Sequence, residues 1–150
     1  MPRILALSPG GRHFAIATLD GDVLVRAEVH SLRRFRDPAE KFRAFLDALR
    51  VAVEQDAPAI IAVEALDARR TTPMANGQAL RALAEATARG IHGITAVPSR
   101  PDPALADRFP DLRTALDALA CQHDPRRSRR LLAAVAVALA TADAHAEART

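Results

Sequence analysis

Residues 3–29 read RILALSPGGRHFAIATLDGDVLVRAEV, and this stretch decides what kind of sheet the chain builds. Arg3–Ser8 is a short apolar run stopped by Pro9-Gly10-Gly11, the pattern of a buried strand ending in a tight loop. His13–Leu19 resumes a strand, and Asp20-Gly21 is a two-residue hairpin signal ahead of Asp22–Val29. Three antiparallel strands in a meander are therefore expected.

The pattern then changes. Asp37-Pro38-Ala39-Glu40 places an acceptor at a helix cap, Pro at the first helical position and Glu at the third. A helix should run from there to about Gln55, with Phe42, Phe45, Leu46, Leu49 and Val53 on one stripe facing a sheet. Ala59–Val63 is apolar without alternation, as in a central strand covered on both faces, and Glu64 is the first polar residue after it. A second helix is expected over Pro73–Arg89 with Gly90 beyond its end, and a fifth strand over Gly93–Val97, stopped by Pro98. Short helical segments near Asp102–Arg108 and Leu112–Gln122 precede a last helix starting at Asp124-Pro125. Right-handed crossovers make the later strands parallel to the first. The expected class is α/β: a mixed five-stranded sheet, elements in the order βββαβαβα, helices on both faces, and residues 1–150 as a single domain.

The chain has 150 residues, 49% of them hydrophobic, enough for one real core. It has five Phe and neither Trp nor Tyr, so aromatic platforms for stacking bases are scarce and nucleic-acid contact would rest on charge and backbone amides. The net charge is only +3, yet the pI is near 10.3, and Lys41 is the sole lysine among many arginines. Arginine forks suit phosphate; an Ala- and Arg-rich chain with one Lys is equally what a GC-rich genome encodes. Cys121, the single cysteine, cannot form an internal disulfide, and the N-terminus has no secretory pattern, so a cytoplasmic location is expected. Leu131–Ala142 is too short and alanine-rich to span a bilayer, and no membrane role is expected.

Three segments carry a resemblance. Ile4-Leu5-Ala6-Leu7-Ser8-Pro9-Gly10, Ala62-Val63-Glu64 and Leu132–Leu139 (LAAVAVAL) are similar to the first strand, the fourth strand and the final helix of RuvC-type Holliday junction resolvases, of the ribonuclease H-like superfamily. That resemblance implies carboxylates from the two strands and the helix converging on two divalent cations, which activate water and stabilise the leaving oxygen of a phosphodiester. Carried over position by position, the acid set is degenerate: Glu64 is retained, while Ser8, Arg130 and Ala133 stand where acids are lost. An arginine beside a metal pair would repel it by several kcal/mol even at an effective dielectric of ~20. Asp67 reads as a solvated loop acid, Asp143 lies too far along the last helix, and Asp124 reads as a cap before Pro125. No metal and no cofactor are expected; Mg²⁺ or Mn²⁺ would enter only if the site were functional.

Arginines cluster at Arg33-Arg34-Arg36, Arg69-Arg70 and Arg126-Arg127-Arg129-Arg130. In the resembled fold the last two clusters flank the former active site, so Arg69, Arg70, Arg126, Arg127 and Arg130 are the candidate nucleic-acid-binding residues. For any single run, pairing with nearby acids or plain solvation is the commoner outcome. A phosphate-cradling reading of Ser8-Pro9-Gly10-Gly11 needs a second domain, and a Ser8, Glu64, His123 triad lacks a nucleophile-elbow pattern. Cys121 and His123 read as helix packing rather than a zinc site. The sequence therefore predicts a non-cleaving, RuvC-like pseudo-nuclease that binds branched or double-stranded DNA or RNA through a basic cleft, as a homodimer if it follows the resemblance into DNA recombination. A protein-interaction or assembly module that keeps the fold without nucleic acid is the alternative, and a divergent metal-dependent nuclease is the third.

Overall fold

The computed structural model describes residues 1–69, 71–97, 102–121 and 125–149. The elements are β1 (Arg3–Ser8), β2 (His13–Asp20), β3 (Val23–Ser31), α1 (Pro38–Asp56), β4 (Ile60–Glu64), α2 (Pro73–Ala88), β5 (His92–Ala96), α3 (Leu105–Arg108), α4 (Pro110–Ala120) and α5 (Pro125–Arg149). They form one mixed sheet in the order β3-β2-β1-β4-β5. The first three strands are antiparallel, and β4 and β5 run parallel to β1, as the sequence pattern requires.

Local chemistry sets most boundaries. Asp37 accepts a hydrogen bond from the Ala39 amide at 2.9 Å, and Pro38 opens α1. Thr72 does the same for the Ala75 amide at 3.1 Å ahead of α2, and Gly90, at a φ of +70°, lies beyond its end. The first hairpin differs by one residue from its expected position: its turn is Gly21-Asp22, with Asp20 paired to Val23. Gly21 takes a φ of +60°, a left-handed conformation easier for glycine than for Asp20. The fifth strand likewise begins one residue early, at His92, and α4 two residues early, where Pro110 supplies a first helical residue. Asp124 and Pro98, expected to cap α5 and stop β5, lie outside the described residues.

Alternation along the strands sorts the core into two layers. Ile4, Ala6, Ala15, Ala17, Ile60 and Ala62 pack toward Leu112 of α4 and Leu131, Ala134, Val135 and Ala138 of α5. Leu5, Leu7, Phe14, Ile16, Ile61 and Val63 face Phe45 and Leu49 of α1 and Ala82 and Ala86 of α2 on the other side. Ser8 and Glu64 continue the rows that face α5. By length and composition α5 could cross a membrane, but Leu131–Leu139 are buried within the fold, the behaviour of a core helix.

At the opposite end of β1, the buried Asp56 gathers the sheet edge. Its carboxylate accepts from Thr18 Oγ1 at 2.7 Å and from Arg26 Nε at 2.7 Å, and its carbonyl accepts from Arg3 Nη1 at 2.7 Å. Burial alone would raise the Asp56 carboxyl, but the bonds from Arg26 and Thr18 outweigh it and hold it below the usual carboxylate range.

Candidate nucleic-acid interface

Because β1 and β4 lie side by side and parallel, with Leu7 opposite Val63, the next residue of each strand arrives at the same sheet end. There Ser8 Oγ donates to Glu64 Oε2 at 2.5 Å. From α5, Ala133 closes the same space, and one turn earlier Arg129 and Arg130, then Arg126, extend its wall. Ser8, Glu64, Ala133 and these three arginines line a cleft of about 320 Å³.

An adjoining cavity of about 370 Å³ shares Glu64 and Arg130 and is walled by the Pro9-Gly10-Gly11 loop, Asp67, Thr71 and Thr72. Arg130 Nη1 donates to the Pro9 carbonyl at 2.6 Å. No ion pair joins it to Glu64 among the described residues. A Cβ on Gly10 would sit 2.9 Å from the Arg130 guanidinium carbon and 2.2 Å from the His13 carbonyl oxygen, so the close approach requires glycine here. The loop is held from beneath by Gln78, whose fully buried amide accepts from the Gly10 N–H and donates to the Gly10 carbonyl, both at 3.0 Å.

The arginines are placed unevenly. Arg126 and Arg130 line the cleft, as does Arg129, which the sequence reading left out; Arg127 does not. Helical spacing accounts for this, since positions three, four and seven residues before Ala133 share its face and Arg127 is off it. Arg69 is an exposed loop residue whose backbone N–H donates to Asp67 Oδ1 at 2.9 Å, and it lines neither cavity. Arg70 and His123 fall outside the described residues. Asp67 and Asp143 are exposed. Cys121 is exposed rather than packed. Gln78 carried no signal in the sequence, being one polar residue on an ordinary helix.

No protein-family model and no curated protein matches this sequence. Solved structures do. RuvC of T. thermophilus in complex with a Holliday junction substrate superposes with a TM-score of 0.65 at 21% identity, covering 93% of this chain and 92% of that one. A second Thermus thermophilus RuvC structure gives 0.59 at 18% identity, over 91% and 92% of the two chains. The yeast mitochondrial Holliday junction resolvase gives 0.60 at 13% identity, over 91% of this chain and 76% of its own. The chain has the RuvC-type, ribonuclease H-like fold.

Within a RuvC-type fold, the residues that this chain brings together do not fit a pair of divalent cations. Such ions need several oxygen donors, preferably charged. Among the described residues the arginine cleft offers one carboxylate, Glu64, already engaged by Ser8 and faced by Arg126, Arg129 and Arg130. Among the described residues no group of three or more His, Cys, Asp and Glu is placed to hold a metal. The first turn of α5, which holds Arg126, has no acidic residue.

Proposed function

We propose that this chain is a RuvC-like module that binds branched or double-stranded nucleic acid through the arginine cleft and does not cleave it. The observation that carries the reading is the arginine triad, Arg126, Arg129 and Arg130, lining the cleft with Ser8, Glu64 and Ala133. Guanidinium forks match phosphate oxygens, and the loop that Gln78 holds walls the adjoining cavity, which shares Glu64 and Arg130 with the cleft. The solved structures of this fold include one with a Holliday junction bound, which supports a nucleic-acid partner.

The test is a titration of the full chain against junction, duplex and single-stranded DNA at two salt concentrations, with parallel incubation in Mg²⁺ and Mn²⁺. Binding to junction and duplex that weakens steeply with salt, without strand cutting, is expected. Cutting that disappears in Glu64→Gln would overturn the non-catalytic part. Absence of binding at low salt would overturn the whole reading and put the assembly module in its place.

A further inference from the structure

A second open space, of about 790 Å³, adjoins the arginine cleft system between the first turns of α1 and α2. Its walls are Pro38 and Phe42 from α1 and Pro73 and Met74 from α2, with Arg12 and Lys41 also lining it. Among the described residues no acidic side chain lines it. The phenylalanines Phe14, Phe45 and Phe109 are buried in the core, whereas Phe42 faces this groove. Gly11 and Thr72 border both the groove and the cavity beside Arg130. A Cβ on Gly11 would lie 3.4 Å from Thr72 Oγ1 and 4.0 Å from Met74 Cβ, so Gly11 sits against the first turn of α2 at the border that the two spaces share.

We propose that this groove receives an unstacked nucleobase of a nucleic acid whose phosphates lie in the arginine cleft; the inference rests on the nucleic-acid reading above. A ring and a thioether offer a flat, polarisable surface that any base can stack on, and such stacking strengthens binding by about tenfold per base. Arg12 and Lys41 meet the flanking phosphates. Two lining cations, and a shared border with the cavity that Arg130 also lines, favour a polyanion over an apolar peptide. Bulges and branch points present unstacked bases and a perfect duplex does not, so the groove selects irregular nucleic acid while the arginine cleft binds backbone generally.

The experiment compares three labelled probes at one salt concentration: a duplex with a one-nucleotide bulge, the same duplex with an abasic bulge, and the uninterrupted duplex. The base-bearing bulge is expected to bind about tenfold more tightly than the abasic one. Met74→Ser should erase that difference and leave the duplex Kd unchanged, and Phe42→Leu should do the same. Since Phe42 packs within 3.3 Å of a Cβ position at Gly77, Met74→Ser stands alone if the Leu variant misfolds. Gly11→Leu, which puts a bulky side chain at the border of the groove, should also erase the preference. Equal affinity for both bulges in the native protein, or a preference that survives Met74→Ser, overturns the groove inference alone; failure to bind any probe overturns the underlying reading as well.

Discussion

Replacing Arg126, Arg129 and Arg130 by Ala, singly and together, removes the cations of the cleft one at a time. Each phosphate contact adds about 0.9 to the slope of log Kd against log salt on a duplex. Three contacts give about 2.7, so between about 50 and 200 mM salt these residues alone account for a ~40-fold loss of affinity in the native protein, a loss the triple variant should not show. The single variants should not be equal. Arg130 also holds the Pro9 carbonyl at 2.6 Å and rests on Gly10, so Arg130→Ala frees the loop and should weaken binding at every salt concentration, whereas Arg129→Ala should lose mainly the salt-dependent part. Arg127→Ala, off the cleft face, should leave the slope unchanged. Fluorescence anisotropy of a labelled duplex over a salt series reads the native protein and all five variants. A triple variant with the native slope, or an Arg127→Ala slope lowered as much as that of Arg129→Ala, would refute the assignment of these side chains to phosphate.

Glu64→Gln keeps an acceptor for Ser8 but removes a negative charge from the arginine cleft; relief of about 1 kcal/mol of repulsion at ~4 Å in a water-like medium should tighten low-salt duplex binding about fivefold, and an unchanged or weaker Kd would place the phosphate elsewhere. Restoring acids with Ser8→Asp, Arg130→Asp and Ala133→Asp sets carboxylates beside Glu64 on facing elements. Mn²⁺ at ~100 times its Kd should then add about 2.7 kcal/mol, or roughly 5–10 °C in Tm; a melting curve indifferent to Mn²⁺ would contradict the convergence. Asp56→Ala leaves the Arg26 guanidinium facing a lost partner and should cost about 3 kcal/mol in urea unfolding; a loss under 1 kcal/mol would deny the network its role. Because the Asp56 carboxyl is held below its ordinary value, its contribution is present above the unfolded value of about 3.9 and disappears as pH falls through the lower folded value. Asp56→Asn should therefore flatten the loss of stability below about pH 4, and an unaltered acid limb would contradict this.

Much of this architecture is legible in the chain because its signals are local. The Asp37-Pro38 cap, the glycines at the turns and the two periodicities of strand and helix each depend on neighbours a few residues away, and they suffice for the element order. Together with the resemblance, they also point to Ser8, Glu64, Arg130 and Ala133 meeting, since one residue parity along β1 and β4 puts both polar side chains on the face that α5 covers. Strict helical counting back from Ala133 would have exchanged Arg127 for Arg129 as well. Other features have no local trace. Gln78 clamps a loop 68 residues away, Arg130 spends one of its donors on a carbonyl 121 residues away instead of on Glu64, and Asp56 reaches Thr18 across 38 residues. A polar side chain declares its chemistry in the sequence but not its partner: burial obliges it to find one, and only the packing of helix on sheet determines which donor or acceptor lies within 3 Å.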